Sequence, residues 1–324
     1  MSRGFLGKVA DWVIPMHSNR RMLLRMIRDL SRDPAQLTHR LNRSNVGHFL
    51  KYRRRHFRCP ICGSDATPLY DFPDIPLRKE HHIGVLRETL QCRVCLASMR
   101  QRSLAIALLE YLKARWAVRL DSIAEVAAHG LRGVRILDSD NFSAISQLLR
   151  RDESYVRLSY LPDQPWGAQL GPNYFNQDLQ RLSFADESFD IALTSDVMEH
   201  VRDCDAAHRE LFRVLSPGGA YIFTVPFDPD SEQHVQLVDT SSAEDVYLCK
   251  PHFHGDPLTG GVLAYRVFGS ALVHDLAAVG FETQFEMLQR PEHLVVNGDV
   301  FVARKPSRPG STSVLAAQTI LIDV

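Results

Sequence analysis

Long apolar runs are missing from this 324-residue chain: none reaches the roughly 18 residues that a membrane-spanning helix needs. A clean signal peptide is missing too. The apolar stretch near the N-terminus is cut by Lys8 and Asp11 and has no small-residue cleavage site. Net charge is missing, with 38 Lys and Arg against 38 Asp and Glu, and cysteine is scarce, at six residues. No compositional bias points to whole-chain disorder or a collagen-like repeat, since 45% of residues are apolar and 23% charged. These absences predict a cytoplasmic, globular protein without a transmembrane segment, long enough for one large domain and a small one, or for two medium domains.

The neutral total hides an asymmetry. Residues 1–56 hold 13 Lys and Arg but only 3 Asp and Glu, so this arm carries +10 and the remainder −10. Phe5, Leu6, Val9, Trp12 and Val13 follow helical spacing, as do Leu23, Met26, Ile27 and Leu30, with arginines around them. The pattern predicts short basic amphipathic helices. Three partners suit them: the protein's own body or a dimer mate, an anionic membrane surface that would make the protein peripheral to the inner face, and RNA, for which residues 51–55 are the best segment.

Four of the six cysteines fall in two C-x-x-C pairs, Cys59–Cys62 and Cys92–Cys95, with 29 residues between the pairs. Thiolates this close in sequence grip one metal ion from a tight turn, and Gly63 lets the chain reverse. Two such knuckles complete a closed four-cysteine site, which suits structural zinc. Disulfides or a redox C-x-x-C compete with that reading, but the pairs come together and no secretory signal accompanies them. Residues 57–103 therefore read as a zinc ribbon. Cys204 and Cys249 read as ordinary reduced cysteines.

Helices are expected over 104–120 and 121–130, connecting the ribbon to the next domain. From Gly133 strands and helices alternate. Strands are expected at 134–138, 155–160, 173–176, 189–194 and 220–225, then two closing strands at 281–288 and 298–304. Helices are expected at 143–151, 205–215 and 269–279. This alternation, closed by an antiparallel hairpin, predicts an α/β doubly wound sheet of seven strands over residues 131–305. Residues 306–324 read as a linker and tail.

The most specific stretch runs from Asp178 through Leu182, Phe184, Asp186, Ser188, Phe189 and Asp190, and ends in Leu215-Ser216-Pro217-Gly218-Gly219. It resembles the class I S-adenosylmethionine-dependent methyltransferases, in the methyltransferase type 11-like branch with D-x-x-x-L-P-F-x-D-x-S-F-D and L-x-P-G-G. The four-cysteine ribbon followed by Arg100 and Arg102 resembles a group that joins the two modules, as do His254-Gly255-Asp256-Pro257 and Tyr265-Arg266-Val267-Phe268-Gly269. The resemblance implies a Rossmann-like fold and methyl transfer from S-adenosylmethionine. The acceptor would be an oxygen or nitrogen of a polar molecule, such as a saccharide or another small metabolite. An RNA methyltransferase using the basic arm, and a non-catalytic binding or scaffold protein, are the alternatives.

In doubly wound sheets ligands sit at the carboxyl ends of strands near the point where strand order reverses. Asp138, Ser159, Asp178, Ser195 and Asp196 fall at or just after expected strand ends. The resemblance implies that Asp178 faces the adenine amine, with the Leu179 backbone beside it, and that Ser195 and Asp196 lie under the methionine part. Two departures matter. The first motif, Asp138-Ser139-Asp140-Asn141-Phe142-Ser143, has no glycine where the family has acid-x-G-x-G, and Ser159 replaces the acid that holds the ribose. A hydroxyl acceptor must lose a proton, and His200 is the leading base, with Glu199 beside it and His252 and His254 as alternatives from the loop after the fifth strand.

Overall fold

The computed structural model describes residues 55–70, 87–88, 90–117, 119–254 and 261–308. The arm helices, the insert between the cysteine pairs, Gly255-Asp256-Pro257 and the tail from residue 309 lie outside the described residues. The chain divides into two compact units, one taking Asp65–Met99 with the N-terminal segment through Phe57, the other Arg58–Ser64 and Arg100–Val324.

In the first unit Pro68–Tyr70 pairs antiparallel with Leu90–Cys92. The chain then turns at the second cysteine pair, where Leu96 N–H donates to Cys92 O (2.8 Å) and Leu96 takes a left-handed φ of 61°.

The second unit opens with the same turn. Gly63 N–H donates to Cys59 O (2.9 Å), and Gly63 has φ of 71°. A side chain there would also meet Ser122 Oγ at 2.9 Å, so both conformation and space call for glycine. Two helices follow, α1 (Met99–Trp116) and α2 (Ile123–His129). The first N–H groups of a helix have no partner within it. Here Pro60 and Ile61 carbonyls accept those of Ile123 and Ala124, so α2 is capped by the first cysteine turn. On α1, Arg102 is fully buried and donates to the carbonyls of His293 and Leu294, while Tyr111 donates to Gly218 O.

The large sheet contains β1 (Ile136–Asp138), β2 (Tyr155–Ser159), β3 (Gln169–Gly171), β4 (Tyr174–Asn176), β5 (Phe189–Ser195), β6 (Leu215–Thr224), β7 (Glu282–Arg290) and β8 (Val295–Arg304). Its helices are α3 (Ala144–Leu149), α4 (Cys204–Val214) and α5 (Ala271–Val279). The strand order is β7-β8-β6-β5-β1-β2-β4-β3. Strands β4, β2, β1, β5 and β6 run parallel, and β8 and β7 close one edge antiparallel. Strand order therefore reverses between β1 and β5.

The sheet has eight strands where the sequence pattern predicts seven. The extra one, β3, turns back onto β4 through Pro172 and Asn173, whose φ is 49°. It covers what would be a bare sheet edge. The fifth predicted strand also begins earlier, because Leu215 already pairs with Phe189 before the Pro-Gly-Gly irregularity and the ladder resumes at Ala220↔Ile191. The core lies between the sheet and helices α4 and α5, with Tyr221, Phe223 and Phe301 stacked across β6 and β8.

Much of the family-like stretch serves this fold. Arg213 on α4 donates to the carbonyls of Leu182 and Phe184 and pairs with Asp186 and Glu210, while Glu210 accepts the Leu182 N–H. Asp190 accepts the Arg135 N–H and guanidinium. These bonds fix the approach to β5 and leave its carboxyl end clear.

Candidate functional site

Strand ends around the reversal point bring the predicted cofactor residues together. Asp138 ends β1, fully buried. It accepts the Asp140 N–H (2.8 Å) and the Tyr155 hydroxyl. Burial, reinforced by the charge of Asp140, pushes its pKa up to about 8. Burial raises Asp140 too, against the opposing pull of the Arg100 guanidinium. Such a pair is poorly solvated as two anions and favours a cationic ligand.

The glycine-free loop has its own logic. Ser139 N–H donates to Leu193 O, and Asp140 Oδ1 accepts the N–H groups of Phe142 and Ser143. Ser143 then caps α3 by accepting the Ser146 N–H. Side-chain bonds shape the turn that glycines shape in the family pattern.

Ser159 ends β2 and accepts the Tyr174 hydroxyl at 2.8 Å. After β4, half-buried Asp178 accepts the backbone and side-chain N–H groups of Gln180, and Leu179 is buried in the core. After β5, Asp196 takes a left-handed φ of 52°, uncommon for a residue with a side chain. Its N–H donates to Thr224 O and its carboxylate accepts the Thr224 hydroxyl at 3.0 Å. Arg100, from the first turn of α1, donates to Ser195 Oγ and lies 3.5 Å from Asp196. The sequence signal for Arg100 is the Arg-x-Arg pair after the second knuckle; what the sequence does not reveal is that Arg102 is buried among carbonyls while Arg100 reaches the sheet.

The predicted acid–base residues sit beyond β5, where Met198–His200 forms a short 3-10 helix. A chain segment from the region between β6 and α5 crosses it. Tyr265 N–H donates to Glu199 O, Arg266 donates to the carbonyls of Val201 and Arg202, and His200 Nδ1 donates to Leu263 O (2.8 Å). Phe253–His254 pairs antiparallel with Val262–Leu263, which carries His254 against His200 at 3.2 Å between ring nitrogens. Thus Glu199, His200 and His254 meet, although 54 residues separate the histidines.

Residues 145–223 match the family model described as a methyltransferase domain. The chain is 30% identical over 70 residues to the sterol 24-C-methyltransferase of Aspergillus fumigatus, covering 20% of this chain and 19% of that protein. It is 39% identical over 64 residues to a ubiquinone/menaquinone biosynthesis C-methyltransferase of Haemophilus ducreyi, covering 18% of this chain and 25% of that protein. The chain therefore spans a fifth to a quarter of the length of these curated relatives. Among solved structures it is similar to an S-adenosylmethionine-dependent methyltransferase of Mesorhizobium loti, at 19% identity and a TM-score of 0.34 over 53% of this chain and 91% of that one. A second, from Methanosarcina mazei, gives 20% identity and a TM-score of 0.35 over 56% and 97%. The methyltransferase domain match begins in α3 and ends in β6, so it stops before the segment that brings in His254.

Cys59 and Cys92 are buried and Cys62 and Cys95 half-buried, while Cys204 and Cys249 are free thiols. Cys59 and Cys62 lie in the second unit, and Cys92 and Cys95 in the first. No helix among the described residues is long and apolar enough to cross a membrane.

Proposed function

We propose that this protein transfers a methyl group from S-adenosylmethionine to an oxygen or nitrogen of a small polar acceptor such as a saccharide. The observation that carries the reading is the convergence of strand-end residues at the reversal point of a methyltransferase domain. The donor set fits the cofactor's chemistry. Asp138 and Asp140 form a carboxyl pair that burial disfavours as two anions and that a cationic ligand stabilises, and Asp178 retains lone pairs for an amine. When bound, the cofactor supplies an electrophilic methyl group on a sulfonium.

The chain's own residues do the rest. Asp178 and the Leu179 backbone hold the adenine, and Ser159 with Ser139 stands where the ribose hydroxyls need partners. Ser195, Asp196 and the Asp138–Asp140 loop line the amino-acid end. His200 Nδ1 donates to Leu263 O, which turns Nε2 toward His254 and Glu199. That nitrogen takes the acceptor's proton, with Glu199 and His254 holding the ring's surroundings. Cys59, Cys62, Cys92 and Cys95 hold one structural zinc, supported by the matching turns of the two C-x-x-C pairs.

Calorimetry with S-adenosylmethionine and S-adenosylhomocysteine tests the reading. Binding is expected in the micromolar range or tighter, weakened roughly tenfold by Asp178→Ala, the loss of one charge-assisted hydrogen bond. No binding at millimolar cofactor defeats it.

A further inference from the structure

We propose that Glu199, His200 and His254 bind one divalent transition-metal ion of the zinc class. Their donor atoms surround a single point. His200 Nε2 and His254 Nδ1 are 3.2 Å apart, and each lies 3.6 Å from Glu199 Oε1. The centre of that triangle is about 2.0 Å from each corner, the length of a zinc bond to imidazole nitrogen or carboxylate oxygen. A tetrahedral ion sits about 0.7 Å out of the plane of such a face, which makes the bonds about 2.1 Å, still within the zinc range, so these three atoms form one face of its coordination shell.

The chemistry of each donor agrees. His200 gives its Nδ1 proton to Leu263 O, which fixes the ring and leaves Nε2 to coordinate, the usual support for a ligating histidine. Glu199 is fully buried, yet neither carboxylate oxygen accepts a hydrogen bond. A carboxylate buried without donors is costly, and a bound cation removes that cost. His254 is exposed, so the fourth position opens to solvent on its side. Asp196, three residues before Glu199, is not a member; it turns to Arg100 and Thr224.

The ion's role rests on the methyl-transfer reading above. An acceptor hydroxyl at the open position is acidified by the ion and loses its proton to water. Its oxygen forms the new bond to the methyl carbon, the carbon–sulfur bond breaks, and that electron pair stays on sulfur. The ion thus takes over from a bare imidazole the task of preparing the nucleophile, and it selects acceptors with a hydroxyl.

The test is the metal content of the full chain, loaded with Zn2+ and desalted, with S-adenosylhomocysteine titrated into the same samples. His254→Ala, on an exposed hairpin, and Glu199→Gln are each expected to hold one ion fewer per chain than wild type. With Co2+ as the probe, the ligand-field bands of a nitrogen and oxygen site are lost in both variants, and the thiolate charge-transfer bands stay. Equal ion counts in wild type and His254→Ala, or a wild-type Co2+ spectrum with thiolate bands alone, overturn the proposal and leave a hydrogen-bonded histidine pair. Wild type that fails to bind S-adenosylhomocysteine counts against methyl transfer, and a one-ion difference in that same preparation still upholds the site.

Discussion

Arg100 reaches the carboxyl end of β5 with its guanidinium against Ser195 and Asp196, and its charge acts on Asp140. A planar, permanently charged fork at that end of the crevice matches a carboxylate, which is what the amino-acid part of S-adenosylhomocysteine carries. Asp138 and Asp140, raised by burial, match its ammonium. Arg100→Ala is therefore predicted to weaken S-adenosylhomocysteine binding about tenfold or more. Binding of 5′-methylthioadenosine, which lacks the carboxylate, should change by less than about twofold on the same scale. Calorimetry with both ligands checks this, and equal losses for the two would show that Arg100 only braces the sheet. Single residues also mark where sequence reading stops. Asp138, Ser159 and Asp178 were legible because strand ends can be read from periodicity. The partnership of Glu199, His200 and His254 was not, because it depends on a crossing segment tied down by Arg266 and Tyr265, and no local pattern reports such a contact.

Among the elements, α4 was the easiest to read and hides the clearest pH dependence. Its stripe of Ala207, Leu211 and Val214 faces the core, and Asp203 caps it by accepting the Ala206 N–H. The eighth strand was harder, since three residues carry too little periodicity and its existence depends on the left-handed Asn173 turn. His208 occupies the buried face of α4, and neither ring nitrogen has a hydrogen-bond partner. Burial holds its pKa down at about 4, against a normal value of 6.5. The unfolded chain therefore binds this proton more readily than the folded one. The stability at stake is present above pH 6.5 and is lost as pH falls through about 4. It amounts to about 3 kcal/mol across that window. His208→Phe is predicted to flatten the acid limb of a stability–pH curve measured by urea unfolding. An unchanged slope between pH 6.5 and 4 would place the acid sensitivity elsewhere.

For the whole molecule, the cysteines decide more than the net charge does. A total of zero conceals +10 on the first 56 residues, and nearly all of that arm lies outside the described residues. The first cysteine turn contributes to the fold, because Pro60 and Ile61 carbonyls receive the N–H groups that open α2, and Gly63 packs against Ser122. Each C-x-x-C turn is only a few residues long, so the proposed zinc is the natural source of its rigidity. Removing the proposed zinc with a strong chelator is predicted to free the first turn, unsatisfy α2's first N–H groups and lower the melting temperature by about 5–10 °C, the shift expected for a loss of a few kcal/mol in a chain of this size. Cys59→Ser and Cys92→Ser should each reproduce the chelated melt and lose the same single zinc, since a closed four-thiolate site fails when any ligand is removed. His254→Ala, in contrast, should melt close to wild type. Zinc content and melting temperature, measured together on these three variants, separate a metal that holds the fold from one that serves the chemistry. If Cys59→Ser keeps both its zinc and its melting temperature, the four cysteines are not one site.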